Sequence, residues 1–211
     1  MTYYIRIPQE LVNNDFYSIV SEKCSEQRLE KAKSFKRLSD RIISCTAFVL
    51  LRYALSEKYG YDKMPYFYFN SHGKPVLTSC SVQFSLSHSG EFAAVSVSDS
   101  DIGADIQQDI TNEYDIAEMI CSPREKALLD GGTDLTRIWA VKESFFKCIG
   151  TGLPERLETY DVCISAADSF TSEGKIFTIT RLNNAYLSVC SDKKTGICEL
   201  SPQELMKYCR R

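Results

Sequence analysis

The sequence has little of what zinc sites and nucleic-acid interfaces require. It contains only two histidines, His72 and His88, which excludes a metal site built from several histidines. Among its nine cysteines no two are separated by only two residues, which argues against a structural zinc knuckle. With a net charge of −3, the chain has no global basic excess, so we expect no nucleic-acid partner.

The sequence also lacks long apolar runs and a secretory signal. No apolar run approaches the ~18 residues that a membrane helix needs, so we expect no membrane partner. Residues 1–6 do not show the pattern of a signal peptide. The odd number of cysteines fits reduced thiols, and we therefore predict a cytoplasmic protein. A chain of 211 residues can bury the core of one large domain or of two compact halves.

Periodic patterns predict helices and strands in the same order twice along the chain. Predicted helices cover residues 15–35, 39–60, 114–120, 123–129, 134–149 and a terminal segment from 201, and predicted strands cover residues 3–7, 66–69, 82–87, 92–98, 102–107, 159–165, 175–181 and 185–191. This order favours an α+β fold with two halves that meet near residue 100, residues 1–100 and residues 101–211.

The stretch from Trp139 to Lys147 combines an apolar helical face with charged residues. The apolar residues at three- and four-residue steps are Leu135, Ile138, Trp139, Phe145, Phe146 and Ile149. Lys142 falls within that face, so its ammonium must reach solvent or meet an anion, because an unpaired buried charge is very costly. Glu143 precedes Lys147 by one turn, in the order that suits a helical salt bridge. Alone, this pattern also fits a core helix without a chemical role.

Asp105 and Glu143 offer two carboxylates for a divalent cation. Asp105 and Gln107 share one face of the predicted strand 102–107, because side chains alternate along a strand. Two carboxylates together with waters and substrate phosphates usually hold Mg²⁺. Alone, Asp105 also fits a strand-end cap.

Basic residues near this pattern indicate a phosphorylated ligand. Lys142, Lys147 and the basic cluster in residues 28–37 would face its phosphates, although such a cluster also fits a solvated helix face. His88 fits either a strand-end histidine bonded to neighbouring serines or a hydrogen-bond donor to phosphate. These residues are consistent with chemistry at a phosphate ester or anhydride.

Three stretches resemble the signature blocks of the Sfp-type 4′-phosphopantetheinyl transferases. They are residues 87–90 (Ser-His-Ser-Gly), 102–107 (Ile-Gly-Ala-Asp-Ile-Gln) and 139–147 (Trp-Ala-Val-Lys-Glu-Ser-Phe-Phe-Lys). The family pattern is close to G-[IV]-D-x-E followed by [FW]-x-x-K-E-[SA]-x-x-K, and the turn at residues 73–75 (Gly-Lys-Pro) also fits. The resemblance runs in order from about residue 28 to about residue 165.

The resemblance implies two similar α+β halves that form a pseudo-dimer, with coenzyme A bound at an active site between them. A serine hydroxyl of an apo acyl or peptidyl carrier protein would attack the β-phosphate, so that phosphopantetheine is transferred and 3′,5′-ADP leaves. The length fits the monomeric two-half type better than the short type, which assembles as a trimer.

The resemblance also implies a role for each matching residue. Asp105 and Glu143 would bind Mg²⁺, Glu143 would help deprotonate the serine, and Lys147 would stabilise or protonate the leaving phosphate. Lys142, Ser87 and His88 would hold the coenzyme A phosphates. The residues at the 3′-phosphate or adenine end would be Arg28, Lys31 and Lys74, and Ser44 matches a further coenzyme A contact. The glycine-bounded segment after Lys147 would border the carrier protein.

One departure from the pattern leaves alternatives open. Gln107 stands where the family has a second carboxylate on the aspartyl strand, and a neutral amide is a weaker ligand for Mg²⁺. The chain is thus either an active transferase or a coenzyme A-binding protein that has lost transfer. A third possibility is an unrelated Mg²⁺-dependent phosphohydrolase.

Overall fold

The structure is a computed structural model that describes residues 1–61, 63, 66–78, 81–111 and 113–211. In chain order, the elements are β1 (Thr2–Arg6), α1 (Asn14–Ser21), α2 (Glu26–Ser34), α3 (Leu38–Tyr59), β2 (Phe67–Phe69), β3 (Pro75–Leu77), β4 (Gln83–Ser89), β5 (Phe92–Ser98), β6 (Ile102–Gln108), α4 (Glu113–Ile120), α5 (Pro123–Asp130), α6 (Leu135–Ile149), β7 (Ser169–Ser172), β8 (Lys175–Leu182), β9 (Ala185–Ser191), β10 (Ile197–Glu199) and α7 (Pro202–Cys209). Short 3₁₀ turns occupy Gln9–Leu11 and Leu157–Thr159. None of the helices in these ranges is long and apolar enough to cross a membrane.

The first layer is a four-stranded sheet in the order β10-β1-β5-β4, covered by the long helix α3. Helix α3 is apolar on most sides because it packs on β5 and is itself covered by α1, α2 and α7. The helix ends at Gly60, whose φ of 69° is a left-handed conformation that glycine adopts without strain. The first sheet and the helices packed on it therefore share one hydrophobic core.

The second layer is a four-stranded sheet in the order β6-β9-β8-β7, covered by α6 on β6 and β9. Each sheet thus carries one long helix, and the predicted α+β class is confirmed. The division at residue 100 stays a prediction. The end of the chain returns to the first sheet, because β10 pairs with β1 in parallel and α7 packs on α3.

The edge strands β4 and β6 pack together where the two sheets meet. Serines at alternate positions of β4 provide polar contacts there. The Ser85 hydroxyl accepts a hydrogen bond from the backbone N–H of Ala104 at 2.9 Å and contacts its carbonyl at 3.3 Å. The Ser87 hydroxyl donates to Asp105 Oδ1 at 2.7 Å. The polar face of β4 is therefore the junction between the sheets rather than a solvated surface.

Two segments differ from their sequence predictions. Residues 15–35, predicted as one helical stretch, form two helices, because Ser25 accepts from the backbone N–H of Arg28 and starts α2. The strand predicted at 159–165 is wrong, since that segment has no strand and its backbone groups bond to side chains of other elements. Strands β7 and β10 were not predicted.

Helix α6 approaches strand β6 most closely at Gly103. A Cβ built on this glycine would overlap the backbone oxygen of Ser144 and the backbone nitrogen of Cys148. Backbone atoms cannot move aside as a flexible side chain can, so the helix would have to shift. Gly103 is therefore required for the distance between α6 and β6.

Replacing Gly103 with alanine should lower the free energy of unfolding by about 3 kcal/mol, within the upper range for overpacking a filled core. Chemical denaturation measures this change. Gly131→Ala is the matched control, because Gly131 has a φ of −80° and the nearest atoms to an added Cβ lie at 3.4 and 3.5 Å. Equal stability of the two variants would contradict the close approach.

Candidate active site

Three charged side chains meet where α6 crosses β6. Asp105 lies on β6, and Glu143 and Lys147 lie one turn apart on α6. The Lys147 ammonium is 2.6 Å from Asp105 Oδ1 and 3.2 Å from Glu143 Oε2. The structure thus brings together the three residues that the sequence proposed as catalytic.

One carboxylate oxygen of this cluster is left without a partner. Asp105 is buried, and its Oδ1 accepts from both Ser87 and Lys147. Its Oδ2 is also buried but has no hydrogen-bond partner among the described residues. Because an unsatisfied buried carboxylate oxygen is costly, this atom is available to a cation or a water molecule.

The charges of the cluster shift the proton affinities of its members. Burial lowers the pKa of Lys147, but the charges of Asp105 and Glu143 and their hydrogen bonds outweigh it, so the pKa is raised above its usual value. Burial raises the pKa of Glu143, the Lys147 ammonium opposes that rise, and the Asp105 carboxylate adds to it. Lys147 is therefore a cation at neutral pH, and Glu143 holds a proton more readily than an exposed glutamate.

The donor set fits Mg²⁺ better than zinc. No group of three or more His, Cys, Asp or Glu residues is placed to hold a metal in the part of the chain that the structure describes. Mg²⁺ commonly uses one or two carboxylates plus waters and substrate phosphates, which matches Asp105 Oδ2 and Glu143. Gln107 lies two residues beyond Asp105 on β6, and its side-chain nitrogen donates to the carbonyl of Gln108 at 2.9 Å.

A cavity of about 380 Å³ lies between α2, α3, β4 and the β2–β3 hairpin. Its walls combine aromatic and basic side chains, and the residues used below are Arg28, Lys31, Phe48, Phe67, Phe69 and His88. The Arg28 guanidinium lies over the Phe48 ring at 5.3 Å and reaches the Ser44 hydroxyl at 3.5 Å. Ser44 is fully buried, so in this structure it holds Arg28 rather than lining the cavity.

The electrostatic environment of His88 favours an anion beside it. Its imidazole is accessible from the cleft. Partial burial lowers the pKa of His88, and the cations Arg28, Lys31 and Lys147 lower it further. An anion bound among these three cations would oppose their effect and raise the pKa of His88.

A second cavity of about 270 Å³ adjoins the first and shares Gly73, Pro75, Phe84 and Leu86 with it. Glu143, Phe146 and Lys147 of α6 line it, together with Gly150, Gly152 and Leu153 after the helix. The two cavities therefore form one cleft with Glu143 and Lys147 of the charged cluster in its wall, and the buried Asp105 contacts Lys147.

Lys74 lies in the second cavity, apart from Arg28 and Lys31. Its ammonium donates to the carbonyl of Cys148 at 3.0 Å, and burial lowers its pKa. Lys74 thus caps the end of α6 in this structure. The structure does not bring Lys74 together with Arg28 and Lys31, and its contact with the 3′-phosphate or adenine end of coenzyme A stays a prediction.

The structure corrects the expectation for Lys142. Its side chain is fully buried, and its ammonium is 2.6 Å from Glu125 Oε2, on the side of α6 away from the cleft. It therefore meets an anion, one of the two alternatives left by the pattern, but that anion belongs to the protein. Its contact with coenzyme A phosphates is not supported.

Several residues at the site were not singled out from the sequence. Glu125 is fully buried, and the aromatic walls of the first cavity come from separate elements. The signal for Glu125 was the run Ser122-Pro123-Arg124-Glu125, because Ser122 and Glu125 form a capping box at the start of α5. Nothing in the local sequence indicates that Phe48 and Phe67 line the same cavity.

Comparisons with known proteins show which family this chain resembles. The family model described as the 4′-phosphopantetheinyl transferase superfamily matches residues 101–198. A 4′-phosphopantetheinyl transferase of Bacillus subtilis is 32% identical over 146 residues, which are 65% of this chain and 65% of the relative. The 4′-phosphopantetheinyl transferase Sfp of Bacillus subtilis (strain 168) is 30% identical over 158 residues, 71% of this chain and 69% of the relative.

The mixed α+β fold and these similarities define the class of protein. The chain belongs to the 4′-phosphopantetheinyl transferase superfamily. The aligned part spans about two thirds of the length of the relatives it matches.

Replacing Lys147 with methionine should raise the pKa of Glu143 further, because the ammonium that opposes the rise is removed while Asp105 remains. Carboxyl ¹³C NMR titration in metal-free buffer measures this shift. Lys126→Met is the control, since Lys126 pairs with the exposed Glu118 instead. An unchanged Glu143 titration in Lys147→Met would show that the two charges do not interact.

Proposed function

We propose that this chain transfers 4′-phosphopantetheine from coenzyme A to a serine hydroxyl of an apo acyl or peptidyl carrier protein, with Mg²⁺, and releases 3′,5′-ADP. The observation that carries this proposal is the Asp105–Lys147–Glu143 cluster in the wall of a cleft formed by two cavities. Family membership supports the reaction class.

The first cavity suits the nucleotide end of coenzyme A. Phe48, Phe67 and Phe69 offer aromatic surface for the adenine, and Arg28 and Lys31 offer positive charge for the 3′-phosphate. His88 lines the first cavity with Arg28 and Lys31, and the charge of Lys147 in the second cavity also acts on it, so it suits a phosphate on the way to the second cavity. This orientation leaves the second cavity for the pantetheine arm and the acceptor serine.

In the proposed reaction, the serine oxygen forms a bond to the β-phosphorus while the bond from that phosphorus to the bridging oxygen breaks. The α-phosphate leaves as part of 3′,5′-ADP. Glu143 takes the serine proton, directly or through water, and its raised pKa makes it a stronger base than an exposed glutamate. Lys147 starts as a cation, and it either stabilises the negative charge on the departing phosphate or donates its proton to that phosphate.

Asp105 Oδ2 and Glu143 would hold Mg²⁺, which neutralises pyrophosphate charge during the transfer. Ser87 supports this arrangement because it donates to Asp105 Oδ1 and so fixes the orientation of the carboxylate. Gln107 would contribute a neutral oxygen or a bound water at the position where the family pattern has a carboxylate.

Gln107 also favours a second candidate function, a coenzyme A-binding protein that has lost transfer. Such a protein would bind coenzyme A in the first cavity without dependence on Mg²⁺. The retained contact of Lys147 with both carboxylates supports the enzyme over this alternative.

The setting of the reaction is also proposed. The eight cysteines in the described ranges are free, which supports a reducing compartment such as the cytoplasm. The two halves on one chain support a monomer. Polyketide, nonribosomal peptide and fatty-acid carriers are all compatible with the cleft.

Transfer to an apo carrier protein, followed by intact mass across a Mg²⁺ titration, tests the proposal. We expect transfer by this chain, and Gln107→Glu should need about tenfold less Mg²⁺, the factor given by roughly 1.4 kcal/mol from an added charge. Gln108→Glu is the control. It adds the same charge at the next residue of β6, whose side chain points to the opposite face of the strand.

Each outcome of that titration discriminates between the hypotheses. Equal Mg²⁺ dependence of both variants would remove Gln107 from the metal site. Transfer by Gln107→Glu alone would make the natural chain a binder, and no transfer by any variant with several carriers would contradict the proposed activity.

Arg28→Ala should weaken coenzyme A binding about tenfold, because hydrogen bonds to charged groups contribute roughly 1.5–3 kcal/mol. Binding of 3′-dephospho-coenzyme A should change little, since it lacks the phosphate that Arg28 would contact. Isothermal titration calorimetry measures both affinities. Lys33→Ala is the control on the same helix, with an exposed side chain away from the cavity. If Arg28→Ala lost equal affinity for coenzyme A and for 3′-dephospho-coenzyme A, the 3′-phosphate would not lie beside Arg28.

A further inference from the structure

Lys142 connects several segments of the second half through its buried ammonium. Besides the bond to Glu125, Nζ donates to three backbone carbonyls. They belong to Ile120 at 2.7 Å, Leu157 at 3.1 Å and Tyr160 at 2.6 Å. Four acceptors thus surround an ammonium that has three N–H groups, so no N–H group remains to donate to a ligand. Lys142 therefore joins the end of α4 and the segment after α6 to the middle of α6.

Glu125 completes this connection from the other side. Its Oε2 accepts from the backbone N–H of Ser122 at 2.9 Å, and its Oε1 accepts from the backbone N–H of Val162 at 3.4 Å. Both charged side chains of the pair are fully buried. A buried ion pair with this many hydrogen bonds is satisfied only in one arrangement of its neighbours, which restricts the positions of those segments.

The segment held by this pair begins in the wall of the second cavity. Gly150, Gly152 and Leu153 line that cavity, and the same segment reaches the Lys142 ammonium a few residues later. The Tyr160 ring packs on Phe146, another lining residue, with ring centroids 5.1 Å apart. The segment 150–160 is thus fixed at one end by the helix and at the other by the buried pair.

Lys142 and the reactive groups point to different sides of α6. Glu143 and Lys147 line the cleft, whereas Lys142 faces α5 and the segment 157–162. A change at Lys142 thus leaves Glu143 and Lys147 in place on α6 and releases the far end of the segment 150–160, whose near end lines the second cavity.

We propose that Lys142 and Glu125 are positioning residues that hold the segment 150–160 as the acceptor-side wall of the second cavity. This inference rests on the proposed function, because the acceptor serine is assigned to that cavity. The pair acts through the segment and touches neither coenzyme A nor the acceptor. It sets how well the carrier protein is placed, and it leaves the coenzyme A contacts in the first cavity unchanged.

The test replaces Lys142 with methionine in the full chain and measures kinetics and coenzyme A affinity. The KM for the carrier protein should rise roughly tenfold or more, as expected when a substrate-positioning wall is displaced. The dissociation constant for coenzyme A should stay within about twofold, since the first cavity is not touched. Lys126→Met is the control, because it removes another lysine of an ion pair in the same region, but an exposed one.

Hydrogen–deuterium exchange gives a readout that does not depend on transfer. In Lys142→Met, amides of residues 151–161 should exchange faster, while those of α2 and α3 remain unchanged. If the natural chain transfers nothing, the proposed function fails, and this exchange pattern still decides whether the pair holds the segment.

The double variant Lys142→Met/Glu125→Gln covers the case in which the single variant does not fold. It leaves no unpaired buried charge, so its melting temperature should recover relative to Lys142→Met. The carbonyls of Leu157 and Tyr160 still lack their donor, so the raised carrier KM should persist. If the double variant kept the carrier KM and the exchange rates of the unmodified protein, the proposal would be overturned. Loss of coenzyme A binding in that variant would also overturn it, because the pair would then not act on the second cavity alone.

Discussion

The close contact between α6 and β6 is the constraint on which the site depends. Gly103 allows the helix backbone to approach the strand, and at that distance Lys147 of α6 reaches Asp105 of β6 while it also contacts Glu143 one turn away on its own helix. The two carboxylates would repel each other without the ammonium between them. The same contact leaves Asp105 Oδ2 buried without a hydrogen-bond partner among the described residues, and this is the oxygen to which the proposed cation is assigned.

The cleft changes in character along its length, and this order supports the proposed orientation of the substrate. Aromatic rings and cations line one end, the two carboxylates and Lys147 lie further along, and the glycine-bounded segment forms the other end. Helix α6 contributes to two functions from two faces. Glu143 and Lys147 line the cleft, and Lys142 bonds to the neighbouring segments from within the core.

Much of the fold followed from periodicity. The long helices α3 and α6 and the strands β4, β5, β6, β8 and β9 were predicted from apolar spacing, because each buries a continuous face. Short elements were harder to predict. The segment 159–165 has alternating apolar residues, but its polar backbone groups bond to Lys142, Glu125 and Ser172 instead of another strand. Strand β10 is three residues long and is defined by its partner β1, at the other end of the chain.

The sequence by itself determined the chemistry that is available, with Asp105, Glu143 and Lys147 in a recognisable order on a strand and a helix. It also determined that the Lys142 ammonium must reach solvent or meet an anion, because a buried lysine cannot stay unpaired. Only the tertiary structure decided which anion it meets, since Glu125 comes from another helix 17 residues away. It likewise decided that Lys74 lies apart from Arg28, and that phenylalanines from separate elements enclose one cavity. Local patterns report which face of an element is buried, whereas contacts between distant elements depend on how those faces pack.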